Sequence, residues 1–349
     1  MGCGTRESPR SQSTPSATAP SQRAESPRGC RLAPEQGLVL GTRRAPTQLA
    51  VGAEGAIVVH QPSIFEVFTS SSAGFSDHLR SGAVLVPRSG PPRVLVEPGT
   101  GGGYTPDPRA LWAIHVDGEA ALLDCESLGS DAARCTIHAP SRPAFDARSF
   151  TPGPEITSLD RMVAVEHEGV VHVVIVDEAL SRGRLVHLGP TSSEAVSFTP
   201  PTTEGLFGRL EVERIEGGVR LILRGHPTQT FALDDSGHIR EPLAALVIDS
   251  PLDSYIESRR ARGLEPRSCV GTPGTSEVLV LCDAPSPEGP ARSLWVGWAD
   301  AERPDEATEL PTQGSGVAAL DRAAGHAAIA WEAVTADAPE LRFASLRCD

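Results

Sequence analysis

The sequence predicts an all-β fold, and three observations lead to that prediction. Apolar runs rich in Val, Ile and Leu recur along the chain and are separated by glycine-containing turns. The turns return at intervals of 49 to 63 residues, which indicates an internal repeat. Only residues 249–263 have the pattern of a helix. We therefore expect strands arranged in repeated units.

The repeating unit is a strand, a tight turn and a second strand, usually followed after a polar loop by a further short strand. Acid-Gly and Gly-Gly turns between apolar runs are typical of hairpins, because glycine tolerates the positive φ that such turns require. The predicted turns are centred on Gly55, Gly118, Gly169, Gly218, Gly274 and Gly325.

A period near fifty residues with three or four strands per unit is what a β-propeller blade requires. The pattern resembles bacterial propeller repeats in general and has the signature of no particular family. The sequence therefore predicts a single β-propeller of about six blades across residues 30–349. A seventh blade follows if residues 61–104 contain another unit.

The N-terminal residues 1–29 form a separate region, since residues 4–28 are mainly Ser, Pro, Thr, Arg, Gln and Ala with no large apolar side chain. Such a composition cannot offset the entropy of ordering the chain, so we expect a disordered tether. Residues 1–4 resemble the last part of a bacterial lipobox, which implies a lipid on Cys3 and a start codon upstream of Met1. The alternative is a cytoplasmic protein in which Cys3 has no role. A myristoylation signal fails because Arg6 stands where Ser or Thr is needed.

Six further cysteines predict disulfides and hence an oxidising, extracytoplasmic compartment. Cys30 precedes the first repeat and Cys348 is the penultimate residue, so closing a ring of blades would bring them together. Cys125 with Cys135 and Cys269 with Cys282 would each join neighbouring strands. The alternative is buried free thiols that act as small apolar groups.

The charge distribution excludes some partners. Residues 1–48 carry 7 Arg and 3 Glu, whereas the rest of the chain carries 24 Arg and 42 acidic residues. Residues 49–349 are therefore strongly acidic and should repel nucleic acid and anionic lipid. No apolar run is long enough to span a bilayer. We expect contact with a membrane only through a lipid anchor.

The chain contains no lysine and no asparagine. Their absence excludes a P-loop lysine, Schiff-base chemistry, a Ser-x-x-Lys nucleophile and N-glycosylation, because each needs one of these residues. A GC-rich, bacterial genome accounts for both absences.

The helix predicted over residues 249–263 should be capped by Asp253 or Ser254. Arginines near its C-terminal end suit the negative end of the helix dipole. As the densest basic group on an acidic body, they are also a possible partner-contact patch. That patch consists of Arg259, Arg260, Arg262 and Arg267.

Two histidines come closest to a metal motif, in the segment HEGVVH, residues 167–172. The segment is one residue longer than HExxH and should turn at Glu168-Gly169, so that Val165 pairs with His172 and His167 with Val170. A metal would then need a third ligand from another blade, and packed or exposed histidines are the expected outcome. We read LDDSG, residues 233–237, as a hairpin turn and GTGGG, residues 99–103, as a linker.

No residue pattern identifies a catalytic, cofactor or metal site, so the sequence predicts none of them. The favoured function is a monomeric, non-enzymatic binding or scaffolding module of the bacterial cell envelope, lipid-anchored or periplasmic, with an unknown protein or glycan partner. One alternative is a propeller hydrolase or lyase acting on an envelope polymer. The other is a purely structural envelope protein.

Overall fold

The computed structural model describes residues 30–39, 44–62, 78–79, 81–97, 100–101, 109–129, 132–151, 162–176, 181–201, 207–225, 229–245, 251–261, 268–272, 278–285, 292–299, 307–310, 318–323, 325–334 and 339–348. Nearly all of the regular structure in these ranges is antiparallel β-sheet, with one helix, α1 (Pro251–Ala261). The predicted tether and Cys3 lie outside the described residues.

Six sheets, numbered here in chain order, contain all but two of the strands. Sheet 1 consists of β3 (Arg44–Val51), β4 (Gly55–Pro62), β6 (Gly82–Pro87) and β7 (Arg93–Val96). Sheet 2 consists of β9 (Arg109–Val116), β10 (Glu119–Gly129), β11 (Ala132–His138) and β12 (Ser149–Phe150). Sheet 3 consists of β13 (Met162–His167), β14 (Val170–Val176), β15 (Gly183–Leu188) and β16 (Ser193–Phe198).

The second half of the chain continues the same pattern. Sheet 4 consists of β17 (Phe207–Ile215), β18 (Gly218–Gly225), β19 (Gln229–Asp234) and β20 (Ile239–Ala245). Sheet 5 consists of β21 (Ser268–Gly271), β22 (Leu279–Pro285), β23 (Arg292–Trp298) and β24 (Ala307–Leu310). Sheet 6 consists of β25 (Ala318–Ala323), β26 (His326–Val334), β27 (Pro339–Cys348) and β1 (Cys30–Leu32), and β2 (Gln36–Val39) also pairs with β27. The remaining two strands, β5 (His78–Leu79) and β8 (Thr100–Gly101), pair only with each other.

Among the described residues, the first strands of the sheets are in close contact at five of the six boundaries between neighbouring sheets. β3 contacts β9, β9 contacts β13, and β13 contacts β17, while β21 contacts β25 and β25 contacts β3. The last sheet is thus next to the first, and the first strands form the inner wall. This is the propeller-like arrangement that the repeat predicts, and the expected all-β class with about six units is confirmed. Residues 61–104 contribute strands to sheet 1 and the pair β5–β8, so their described part holds no seventh four-stranded unit.

Both ends of the chain build sheet 6. β1 pairs antiparallel with β27, and the register places Cys30 opposite Cys348. The predicted meeting of the two ends is therefore confirmed at the level of the backbone.

Glycine turns form the hairpins where the sequence predicts them. Asp117-Gly118 and Glu168-Gly169 have positive φ at both central residues, with values of 51° and 73° and of 50° and 74°. This is the conformation of a type I′ turn, which matches the twist of the strands it joins. In sheet 4 the glycine with positive φ is Gly217 rather than the predicted Gly218, and Gly274 lies outside the described residues.

Apolar clusters of described residues fill the spaces at five of the six boundaries between consecutive sheets. Fully buried members are Leu122 between sheets 1 and 2, Ile137 between sheets 2 and 3, Leu185 between sheets 3 and 4, Trp331 between sheets 5 and 6, and Leu341 between sheets 6 and 1. Burying one side chain of this kind contributes about 2 kcal/mol. Packing between neighbouring sheets therefore holds the ring together.

Helix α1 follows sheet 4 and packs its fully buried Tyr255 against sheet 5. It begins at Pro251, so the prediction that Asp253 or Ser254 caps it is wrong. Proline suits the first position of a helix because no intrahelical partner exists there for an N–H group. Among the residues that the structure describes, no helix has the length and apolarity needed to cross a bilayer.

Candidate functional site

Two histidines face each other on neighbouring strands of sheet 3. His172 in β14 and His187 in β15 are direct partners in the antiparallel register, which directs both side chains to the same face. Their rings meet edge to face with centroids 4.9 Å apart, and the two Nδ1 atoms are 2.8 Å apart. His172 is only 4% exposed.

Asp235 reaches this histidine pair from sheet 4. It follows β19 in the turn that leads to β20, and the backbone of that turn is held by Asp234, whose Oδ1 accepts hydrogen bonds from the N–H groups of Ser236 and His238 at 2.9 Å each. The Nε2 atom of His187 lies 2.9 Å from the carbonyl oxygen of Asp235. One ligand atom each from His172, His187 and Asp235 lie within 4.8 Å of one another. We call these three residues the two-sheet cluster.

Arg214 completes the surroundings of the two-sheet cluster. Its Nη1 and Nη2 donate to the two carboxylate oxygens of Asp235 at 2.7 and 3.3 Å. This hydrogen bond and charge hold the pKa of Asp235 below its usual value. Burial, followed by the positive charge of Arg214 and then by His187, lowers the pKa of His172 to about 4. At neutral pH the cluster therefore combines a neutral imidazole with an ionised carboxylate.

A second histidine–carboxylate pair lies on the inner wall of the ring. Asp321 of β25 is 4% exposed, and its Oδ2 accepts the Val51 N–H of β3 at 2.7 Å and lies 2.9 Å from His115 Nε2 of β9. The pair thus links sheets 6, 1 and 2. Burial opposes the charged form of His115, but the hydrogen bond and charge of Asp321 outweigh it and raise the pKa of His115. We call His115, Asp321 and Val51 the inner-wall latch.

The HEGVVH segment folds as the sequence predicts, but only one of its histidines joins a cluster. Val165 pairs with His172 and His167 with Val170 across the Glu168-Gly169 turn. The side chain of His167 is 47% exposed and lies 3.8 Å from Glu168. His172 lies instead with His187 of the same sheet and Asp235 of the next sheet, so the grouping differs from the predicted pair of His167 and His172.

Sequence reasoning missed this combination for an identifiable reason. The turn that contains Asp235 is predicted, and His187 lies in one of the further short strands expected after each hairpin. Their approach to His172 depends on the length of the connection between β14 and β15 and on the packing of sheet 4 beside sheet 3. One signal in the sequence could have suggested the grouping. His172 follows a predicted turn closely and Asp235 lies within one, so both are expected near the ends of their strands.

The predicted arginine patch is only partly described. Arg259 is buried, with its guanidinium carbon 5.7 Å from the ring centre of Tyr255 and 5.4 Å from that of Trp295. It therefore fixes α1 to sheet 5 through cation–π contacts, and a partner contact at this residue stays a prediction. Arg260 is exposed, and Arg262 and Arg267 lie outside the described residues.

Disulfides occur at two of the predicted pairs. Cys125–Cys135 joins β10 to β11 within sheet 2, and Cys269–Cys282 joins β21 to β22 within sheet 5. Cys30 is also disulfide-bonded. Its bonding to Cys348 stays a prediction, which the register of β1 and β27 supports.

Comparison with known proteins gives likenesses of fold only. No family model matches the chain, and no curated protein matches it. A Trypanosoma rangeli sialidase in complex with sialic acid is 11% identical with a TM-score of 0.42, covering 91% of this chain and 59% of its own. A subtype N11 neuraminidase-like protein from a flat-faced bat isolate of type H18N11 is 10% identical with a TM-score of 0.44, covering 92% of this chain and 94% of its own.

A mutant of AofleA from Arthrobotrys oligospora is 8% identical with a TM-score of 0.42, covering 92% of this chain and 90% of its own. The chain spans about three fifths of the length of the trypanosomal sialidase. Identities and TM-scores this low transfer no activity to this chain.

Proposed function

We propose that this chain is a non-enzymatic binding or scaffolding module of the bacterial cell envelope, built as a single six-bladed β-propeller. The observation that carries the proposal is that the first and last described strands share sheet 6, with β1 paired to β27 and Cys30 disulfide-bonded. A ring fixed at its seam holds turns from many sheets in constant relative positions. Such pre-organisation lowers the entropic cost of binding, which suits recognition of a protein or a glycan.

An extracytoplasmic location belongs to the same proposal. Disulfides persist in oxidising compartments, and this chain carries them within sheets 2 and 5. Residues 1–29 would be the tether and Cys3 the lipid-bearing residue. Labelled palmitate should enter the wild-type protein but not Cys3→Ser when both are expressed from the native locus. Equal labelling of both proteins would remove the anchor from the proposal.

The partner is best sought at one end of the ring. In an antiparallel four-stranded sheet, the turn between the first two strands and the turn between the last two lie at the same end, which we call the first-turn end. The two-sheet cluster lies there, with Asp235 in the last turn of sheet 4. The exposed Ser236 is beside it, whereas the exposed Arg134 lies near the opposite end of sheet 2.

Site-directed photocrosslinking in intact cells tests this proposal. A photoreactive side chain at position 236 should form one dominant adduct, and the same group at position 134 should not. Sensitivity of the adduct to a protease or to periodate then identifies a protein or a glycan partner. Adducts at neither position, or the same adducts at both, would contradict a specific binding face.

A second candidate is a hydrolase or lyase acting on an envelope polymer, and the inner-wall latch is the observation that favours it. A histidine within hydrogen-bond reach of a buried carboxylate is an arrangement used in general acid–base catalysis. This candidate predicts release of new polymer ends from purified envelope polysaccharide and its loss in His115→Gln. Release that is equal in wild type and His115→Gln, or absent from both, would eliminate the candidate.

A further inference from the structure

We propose that the two-sheet cluster of His172, His187 and Asp235 is a binding site for a divalent transition-metal ion of the zinc type. The site lies at the same end of the ring as the proposed partner face, but metal binding does not depend on a partner. The argument rests on hydrogen bonding, on the spacing of the three ligand atoms and on their positions in two sheets.

Hydrogen bonding fixes the tautomer of His187. The carbonyl oxygen of Asp235 can only accept, so the Nε2 atom that lies 2.9 Å from it must carry a hydrogen. In neutral His187 the Nδ1 atom then has a free lone pair. A ligating histidine in metal sites is commonly oriented in this way, by donation from its other nitrogen to a backbone carbonyl.

The lone pair of His187 Nδ1 points at the second imidazole. It lies 2.8 Å from Nδ1 of the buried His172, so a single hydrogen occupies the space between the two nitrogens. When the hydrogen of neutral His172 moves from Nδ1 to Nε2, a metal ion can take both Nδ1 atoms as ligands and both rings stay neutral. Among the described hydrogen bonds, this is the one that His172 makes, so the exchange disrupts no other described bond.

The distances require only small adjustments. Zn²⁺ binds imidazole nitrogen and carboxylate oxygen at about 2.0–2.2 Å, so tetrahedral ligand atoms are about 3.4 Å apart. The two Nδ1 atoms would separate by about half an ångström from 2.8 Å. The carboxylate oxygen, which lies within 4.8 Å of one ring nitrogen of each histidine, would move towards them. Asp235 lies in an exposed turn, where this movement is possible without repacking the core.

Arg214 positions the carboxylate and does not exclude the ion. Its shorter hydrogen bond of 2.7 Å goes to Oδ1 and the longer one of 3.3 Å to Oδ2. A carboxylate has more lone pairs than these two bonds use, and ligating carboxylates are usually hydrogen-bonded as well. Two imidazoles with one carboxylate suit Zn²⁺ and its neighbours rather than Mg²⁺ or Ca²⁺, which prefer oxygen ligands.

Metal titration of the full chain tests the proposal. The protein is used without a histidine tag, with its disulfides intact, after treatment with a chelator. Zn²⁺ binding is measured by calorimetry, and Co²⁺ is added as a spectroscopic probe of nitrogen and oxygen coordination. Wild type should bind one equivalent of Zn²⁺ per chain, and Zn²⁺ should raise its thermal unfolding temperature.

Two variants remove a ligand and two others serve as controls. His187→Ala and Asp235→Asn should each weaken Zn²⁺ binding by at least about tenfold and abolish the rise in unfolding temperature. His167→Ala and His238→Ala remove exposed histidines from the same end of sheets 3 and 4 and should bind Zn²⁺ as wild type does. Because Asp235 is exposed, Asp235→Asn keeps the test valid even if His187→Ala fails to fold.

Three outcomes would overturn the proposal. They are the absence of stoichiometric Zn²⁺ binding in wild type, undiminished binding in both ligand variants, and an equal loss in the two controls. Each of them leaves the crosslinking result untouched, since that experiment is performed without added metal.

Discussion

The inner-wall latch and the two-sheet cluster both pair histidine with aspartate, yet their surroundings shift the histidine pKa in opposite directions. In the latch, Asp321 is buried and bonded to both His115 and the Val51 N–H, and the pKa of His115 is raised. In the cluster, Asp235 is exposed and paired with Arg214, and the pKa of His172 falls to about 4.

The difference between the two groups concerns what the carboxylate is bonded to. The carboxylate of Asp321 interacts with groups from two other sheets, so it connects sheets 6, 1 and 2. Asp235 is neutralised by an arginine and leaves two imidazoles directed at each other. The latch therefore stabilises the fold, whereas the cluster retains ligand atoms for an added cation.

The largest expected effect is on stability, from Asp321→Ala. The substitution leaves the buried Val51 N–H without its acceptor and removes the partner of His115. Loss of such buried hydrogen bonds should lower the free energy of unfolding by about 3 kcal/mol. Chemical denaturation at neutral pH measures it.

Asp235→Ala is the matched variant for that experiment. It also removes an aspartate from a histidine pair, but at an exposed position, so we expect a loss below about 1 kcal/mol. Equal losses for Asp321→Ala and Asp235→Ala would contradict the distinction between the latch and the cluster.

The second largest effect is on the pH dependence of the free energy of unfolding in metal-free protein, to which His115 and His172 contribute in opposite directions. The pKa of His115 is raised on folding, so its contribution is fully present below about pH 6.5 and is lost as pH rises through its folded pKa. The pKa of His172 falls on folding from 6.5 to about 4, so its contribution is present above pH 6.5 and is lost as pH falls towards 4.

Single substitutions separate these two pH dependences. His172→Gln should reduce the loss of stability between pH 6.5 and 4, by an amount on the order of 2 kcal/mol. His115→Gln should instead reduce the loss that accompanies rising pH. Denaturation curves over this range, recorded with a chelator present, measure both. The same pH dependence in both variants would refute the assignment of opposite charge preferences.

The smallest effect is expected from Arg214→Gln. The ion pair with Asp235 is partly exposed, so its loss should cost less than about 1 kcal/mol. The removal of a nearby positive charge should, however, raise the pKa of His172, because that charge disfavours the imidazolium. Proton NMR titration of the His172 ring detects the change. An unchanged pKa would contradict a contribution from the charge of Arg214.

Local chemistry made much of the fold predictable. The acid-Gly turns at Asp117-Gly118 and Glu168-Gly169 follow from the backbone conformation that glycine permits, and the pairing of Val165 with His172 follows from the second turn. The start of α1 differs from the prediction because Pro251, rather than a capping Asp253 or Ser254, stands at its first position.

The two-sheet cluster could not be predicted to the same extent. His187 is opposite His172 only because of the particular register between β14 and β15, and Asp235 arrives from a different sheet. Approach between sheets depends on side-chain packing across their interface, which no local pattern encodes. Arg259 likewise became an internal residue through its contact with Trp295 of sheet 5.

Anomalous diffraction from a crystal grown with Zn²⁺ tests the central contrast most directly. We predict one strong peak at the zinc edge within about 2.2 Å of Nδ1 of both His172 and His187 and of an Asp235 carboxylate oxygen, with none at His115 and Asp321. A peak at the latch, or a crystal saturated with Zn²⁺ that has no peak at the two-sheet cluster, would contradict the assignment of the two groups.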